Sequence, residues 1–596
     1  MLFHDSHDSA YREPLGGMKA GEALRLRFLC DEGRGVTLRT WDGNENRIPM
    51  RQVGESLFEV ITPVPKQPML FWYDFIIHKA DGDLRYGNAP DQLGGEGTVQ
   101  EGRVHSYQVT VYDPVFSTPS YLHEGVIYQI FPDRFYRDKS GMKGRLHKIK
   151  AAHPEAAFHG RWDEPPTLDL DPENGDNRAL DFFGGTLNGI RQKLDYLQAM
   201  GVTMLYLNPI FRARTNHRYD TGTYEEIDPI LGDDTAFDSL ITAAHARGIK
   251  VLLDGVFSHT GADSLYFNRY GRYDGTGAYQ SKESPYYPWF RFSAFPDQYN
   301  AWWGIYTLPA VDKENPDYQD YLLKANSGIL PRWVGRGACG WRLDVADELP
   351  VPLLQKMRRA VKGADQSAVL IGEVWEDASN KVSYGMLRSY CLGDTVDSVM
   401  NYPLRRAIID FFTGRIDAPQ LRRAILHQRE VYPAPFYYAL MNLLGSHDRV
   451  RVLNALVGYD QEGVVQMPRQ ESQKIRLTKL QLSQAKKRHR EAMKLICALP
   501  GAPALYYGDE MGMQGMADPW NRAPMAWEDG DDTHRRAVSA LLNVRRERRV
   551  LQTGFLDVEA PGEDSLRIRR FAIDGKDVFG HELTEKDAVI KIVRKS

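Results

Sequence analysis

The chain has 596 residues, 42% hydrophobic and 26% charged, with a formal net charge of −4. That length suggests roughly three or four domains, and the near-neutral charge gives no reason to expect nucleic acid as a partner. No apolar run approaches membrane-spanning length, and Cys30, Cys339, Cys391 and Cys497 form no C-x-x-C pair, which disfavours a membrane span, a zinc ribbon and a thioredoxin-like redox pair.

The first residues, MLFHDSHDSAYREPLGG, are polar and acidic without an apolar core, so they do not read as a secretory leader and a cytoplasmic enzyme is expected. From about residue 20 to 112 short alternating runs succeed one another: LRLRFLC, GVTLRTWD, SLFEVITPV, MLFWYDFII and HSYQVTVYD. Gly, Pro and Asp-Gly turns separate them, which predicts an antiparallel β-sandwich. Eight strand candidates come next: 126–135, 204–211, 250–259, 340–344, 369–375, 397–403, 441–448 and 504–512. Helical patterns such as GIRQKLDYLQAMG and AFDSLITAAHARGI lie between them. Eight β-α units predict a (β/α)8 barrel, and no glycine-rich phosphate loop follows the first strand to favour an open doubly wound sheet. The expected class is therefore α/β: a TIM barrel flanked by an N-terminal β-sandwich and a short C-terminal β domain, with a subdomain inserted after the third strand. The expected boundaries are 1–118 for the sandwich, 119–547 for the barrel, 260–318 for the insert and 548–596 for the last domain. The insert reads SPYYPWFRFSAFPDQYNAWWGIY. Its aromatics suit either a small core or a sugar-facing wall, Trp302 and Trp303 above all, and both readings stand.

The chemistry lies at the strand ends. GWRLD closes on Asp344, LIGEVW contains Glu373 and LLGSHD closes on Asp448. In a parallel barrel these ends converge on one mouth, and two carboxyl groups across a sugar ring are what glycosidic cleavage needs. Strand alternation places Arg342 and Asp344 on one face, where the guanidinium would keep the Asp ionised as a nucleophile. Glu373, among other carboxylates, suits a general acid, and Asp448 suits stabilisation of positive charge at the anomeric carbon. An internal salt-bridge network would use the same residues, but His259 and His447 beside them favour catalysis. Ser446-His447-Asp448 has the letters of a hydrolytic triad; adjacent strand residues face opposite sides, so none is expected.

DGVFSH, GWRLDVADE, GEVW and GSHD, in that order, resemble the four signature regions of the α-amylase family of glycoside hydrolases. GVTMLYLNPIFRARTNHRYDTGTYEEIDPILG and LPAVDKENP resemble its neopullulanase, cyclomaltodextrinase and maltogenic amylase branch, and GWRLDVADELP resembles type II pullulanases (amylopullulanases). The resemblance implies Asp344 as nucleophile, Glu373 as acid/base and Asp448 as transition-state stabiliser. It implies Arg342, His259, His447, Tyr219, Asp254, Asp518 and Arg522 around subsite −1, with Asp347 and Glu348 toward subsite +1. Trp375, Trp302 and Trp303 are the expected sugar-binding aromatics. The implied substrates are maltooligosaccharides, cyclodextrins, pullulan or starch fragments, cut by a retaining hydrolase; a transglycosylase and a non-catalytic glucan-binding relative are the alternatives. The N-terminal domain resembles one that binds carbohydrate or pairs two chains into a homodimer, although it could simply cover apolar barrel surface. This branch commonly holds calcium after FPDRF and at a GGD turn. Here FYRDKSG and FGGT put Arg137 and Thr186 at those places, and Asp138 alone cannot supply six oxygens. No metal and no cofactor are expected.

Overall fold

The computed structural model describes every residue except 32–34, 139–143, 145–146, 148–149, 152–153, 173–174, 176, 462–466 and 595–596. Part of the FYRDKSG stretch, 139–141, lies outside the described residues.

The N-terminal alternating runs pair as predicted. Ala23–Cys30 lies antiparallel to Leu57–Pro63 in one sheet, while Gly35–Trp41, Met69–His78 and Tyr107–Tyr112 build the other. In Ala23–Cys30, Leu24, Leu26, Phe28 and Cys30 turn inward and the residues between them outward, so period-two patterning places half of each strand in the sandwich core.

All eight barrel strands form: Ile127–Ile130, Met204–Leu207, Lys250–Gly255, Gly340–Leu343, Val369–Gly372, Ser398–Val399, Met441–Leu443 and Ala502–Tyr506. They pair in parallel in chain order, with the last beside the first. A parallel bridge between Met400 and Met441 closes the ring. The ladders are shorter than the apolar runs suggest. After Ile130 the chain bends into a helical turn, Pro132–Phe135, because proline cannot donate to the ladder. GIRQKLDYLQAMG forms two short helices, Leu187–Gln192 and Leu194–Ala199, rather than one. Asp233 caps Asp234–His245 by accepting from the Ala236 N–H, which fixes where the next helix starts.

After the third strand, the inserted segment's aromatics differ sharply in exposure. Tyr266, Phe267, Trp289, Phe290 and Tyr299 are buried as a small core, whereas Trp303 is 71% exposed. Near the C-terminus, Phe555–Gly562, Ser565–Phe571 and Ala588–Val593 form a three-stranded antiparallel sheet. No helix among the described residues is long and apolar enough to cross a membrane.

Candidate active site

Strand-end residues from around the ring meet at one cleft. A cavity of about 830 Å³ is lined by Asp344, Glu373, Asp448, Tyr219, His259 and His447. It adjoins a second cavity of about 290 Å³ that shares His217 and Tyr219 and contains Asp518 and Arg522.

Arg342 is the centre of the site. It is fully buried, and its Nη1 donates to Asp254 Oδ1 at 2.7 Å and to Asp344 Oδ1 at 2.8 Å. Its Nη2 lies 2.8 Å from Glu373 Oε2. A planar guanidinium carries its donors in a fixed fork, so its two Nη atoms can face carboxylates on different strands. The contact of Arg342 with Asp344 is the one the sequence leads one to expect, but the same guanidinium also serves Asp254 and Glu373. Burial and then the neighbouring Glu373 and Asp254 push the Asp344 carboxyl well up, and Arg342, divided among three acids, only partly opposes them. Burial likewise raises Asp254, and it carries Asp448 to about 7 with Glu373 as the second cause.

Glu373 is held at both oxygens. The Val345 N–H donates to Oε2 at 2.7 Å and the Trp375 indole to Oε1 at 3.0 Å. To aim that N–H, Val345 sits at φ 39°, a region that β-branched residues avoid. Trp375 stacks on Tyr402 at 4.0 Å, which fixes its ring.

Asp254 orients the opposite wall. The Tyr206 and Tyr219 hydroxyls both donate to its Oδ2, at 2.6 and 2.8 Å, and Asn208 donates to the Tyr219 oxygen. The Tyr219 ring stacks on His447 at 5.2 Å, the two planes within 5° of each other. Gln129 donates to His447 Nδ1 at 2.9 Å, so the neutral imidazole carries its proton on Nε2, 3.2 Å from Asp448 Oδ1. Burial lowers His447 well below the usual histidine range and His259 to about 3, so both act as neutral hydrogen-bonding groups. The contact between His447 and Asp448 corrects the opposite-faces argument: the strand ends at Leu443, and alternation does not govern residues beyond it. There is still no serine triad, because Ser446 Oγ accepts from the Tyr402 hydroxyl and the Asp448 N–H.

The remaining expected residues surround this centre. Arg522 pairs with Asp518 at 2.9 Å and reaches 4.0 Å from Asp448. Trp302 packs against His259 and stacks on Trp303 at 4.5 Å. Asp347 lines the cleft, but its carboxylate is engaged by the Tyr390 hydroxyl at 2.7 Å and by Lys381 at 3.4 Å. Sequence reasoning missed Gln129, Tyr206, Asn208, His217 and Val345. Gln129 did carry a signal: a polar residue inside an otherwise apolar strand, IYQI, and 1% exposed.

With this geometry in view, comparison with known proteins is specific. Residues 129–549 match the family described as Alpha amylase, catalytic domain. The chain is 36% identical to an amylopullulanase of Thermoanaerobacter thermohydrosulfuricus, over 99% of this chain and 42% of that protein. It is 33% identical to neopullulanase 2 of Thermoactinomyces vulgaris, over 89% of this chain and 80% of that one. Among solved structures, a cyclic α-maltosyl-(1→6)-maltose hydrolase from Arthrobacter globiformis superposes with a TM-score of 0.63 at 30% identity, covering 77% of this chain and 90% of the other. The chain thus spans less than half the length of the first of these relatives. By its sequence, its closed eight-stranded barrel and its strand-end acids, the chain belongs to the α-amylase family.

Proposed function

We propose that the protein is a retaining α-glucan hydrolase that cuts internal α-1,4 bonds in maltooligosaccharides, cyclodextrins, pullulan or starch fragments, with α-1,6 bonds as the second linkage to be tested. The observation that carries this reading is the single Arg342 guanidinium touching Asp254, Asp344 and Glu373. One cation spanning two carboxylates favours the short separation of the two-step mechanism over the wider gap that a water-activating pair needs. The names of the relatives, amylopullulanase and neopullulanase, support the substrate class.

In the first step Glu373 gives its proton to the glycosidic oxygen while an Asp344 oxygen bonds to the anomeric carbon and the C–O bond breaks. In the second step Glu373 takes a proton from water, the water oxygen replaces Asp344, and two inversions leave the α-configuration. Arg342, the Val345 N–H and the Trp375 indole keep Glu373 aimed through both steps. Asp448, with His447 and Arg522 beside it, binds ring hydroxyls and stabilises the developing oxocarbenium charge. Pullulan digestion tests the reading: panose, isopanose or maltotriose released in the α-form supports it and identifies the bond cut, while β-anomers or no products refute it.

The proposal includes the absence of the branch's calcium site, and the local contacts do not fit that ion. The Arg137 guanidinium donates to the carbonyls of Phe183, Gly160 and His159 at 2.6–2.8 Å, so a side-chain cation already takes oxygens that a metal would need. Thr186 caps a helix by accepting from the Gly189 N–H, and Asp138 accepts from Gln192. Cytoplasmic residence is also proposed, supported by four buried free cysteines, which a reducing compartment leaves unpaired. Cell fractionation tests it. A homodimer through the N-terminal sandwich rests on the family resemblance, and light scattering tests it. In this chain the sandwich packs on its own barrel through Arg12 and His7, at 2.7 and 3.0 Å from the buried Glu430.

A further inference from the structure

The loop that leaves Glu373 carries a small β-hairpin, Val382–Ser383 against Met386–Leu387. At its tip Tyr384 is 69% exposed and sits at φ 52°, a left-handed conformation that costs free energy for any residue but glycine. Its hydroxyl donates to Glu348 Oε1. The Trp303 indole N–H donates to the same oxygen at 3.1 Å. Trp303 is left-handed too, at φ 48°. Two exposed rings on separate insertions are therefore fastened to one carboxylate, just past the strand that bears Asp344.

The hairpin is also tied at its base. Gln108 of the N-terminal sandwich donates to Ser379 Oγ at 2.9 Å and accepts from Asn380 at 2.8 Å. Arg388, on the far side of the tip, donates to the carbonyls of Asp347 and Leu349. Strain at both rings, a shared anchor and fastening at both ends describe a preorganised surface rather than a solvated loop.

Its position decides what it can bind. Tyr384, Trp303 and Glu348 line the same cavity as the three acids. The adjoining cavity, with Asp518 and Arg522 but none of the three acids, Glu348 or Tyr384, shares His217, Tyr219 and Leu308 with it. With the cleaved sugar placed at that junction, beside Tyr219 and His447, the leaving group that Glu373 protonates falls in the part of the cavity lined by Glu348, Trp303 and Tyr384. Flat apolar rings there match the C–H faces of a glucosyl unit.

Building on the hydrolase reading above, we infer that Tyr384 is a specificity-determining residue for the glucosyl unit on the leaving-group side of the scissile bond. Glu348 is the positioning residue that holds Tyr384 and Trp303 as paired walls of that subsite.

The test compares maltotriose, which needs a sugar in that subsite, with α-maltosyl fluoride, whose leaving group needs none. Tyr384→Ala raises KM for maltotriose about tenfold with kcat within about threefold, and leaves kcat/KM for the fluoride within about twofold. Tyr384→Phe, which keeps the ring and loses the anchor, falls between. Glu348→Ala behaves like Tyr384→Ala, while Glu348→Gln, which keeps an acceptor oxygen, recovers most of the loss. Active wild-type protein with Tyr384→Ala unaffected on maltotriose, or equally impaired on both substrates, overturns the inference alone. Wild-type protein inactive on both substrates overturns the hydrolase reading and the inference with it.

Discussion

Replacing Arg342 by lysine keeps the positive charge and removes the fork. An ammonium at the Nη1 position can keep Asp254 and Asp344, which that one nitrogen contacts at 2.7 and 2.8 Å, but not Glu373, which lies 2.8 Å from Nη2. A contact of this charge-assisted kind is worth about 1.5–3 kcal/mol, so losing the one to Glu373 costs about that much transition-state stabilisation. That corresponds to a fall in kcat/KM of about 10–150-fold. Arg342→Ala removes the charge as well, leaving buried carboxylates uncompensated at a stability cost of about 3–5 kcal/mol. The Ala variant also carries a pH signature. Arg342 is what lowers the Asp344 and Asp448 carboxyls against their burial, so its loss raises them further. The acid limb of kcat/KM, which reports groups of the free enzyme, then moves to higher pH. Maltotriose hydrolysis measured across pH, alongside thermal unfolding, reads all three effects. An Arg342→Lys enzyme within tenfold of wild type, with the Ala variant's acid limb unmoved, would refute the reasoning.

Three further outcomes rest on particular contacts. Glu373→Gln lowers kcat/KM on maltotriose by at least about a thousandfold but spares formation of the glycosyl-enzyme from α-maltosyl fluoride, which needs no proton on leaving; equal losses on both would contradict the acid role. His123 is buried against Phe579 at 4.5 Å, and burial lowers its pKa to about 4. Below the unfolded value of about 6.5 the unfolded chain binds a proton that the folded chain refuses, so this contribution is complete above about pH 6.5 and is lost as pH falls toward 4. His123→Gln should therefore narrow its stability deficit relative to wild type by about 3 kcal/mol between those limits, measured by denaturant unfolding; a deficit that is constant with pH would contradict it. Finally, calorimetric titration of chelated protein should show no stoichiometric calcium binding, and Arg137→Asn should lower the melting temperature; tight binding by the wild type would refute the loss of that site.

The barrel was legible because each buried parallel strand is a run of apolar residues, and the acids stood out because they ended such runs: Asp344 after GWRL and Glu373 after VLIG. Strand lengths were not legible. The apolar pattern continues past the last ladder bond, as at Phe131 and Leu444, whose side chains are buried in loops instead. Convergence was the larger gap. That Arg342 serves three acids rather than one, and that Gln129 sets the His447 tautomer from a strand distant in sequence, depends on the angular placement of strands around the barrel, which one-dimensional spacing does not carry. Trp289 and Trp303 show the same limit: fourteen positions apart in one aromatic segment, one is 4% exposed and the other 71%.

The nucleophile assignment is tested most directly by trapping the covalent intermediate. The protein is incubated with a 5-fluoro-α-glucosyl or maltosyl fluoride, digested, and the modified peptide sequenced by mass spectrometry. The account predicts one glycosyl adduct, on Asp344, formed by wild type and absent from Asp344→Asn. An adduct on another residue, or turnover of unmodified substrate by Asp344→Asn at the wild-type rate, would contradict it.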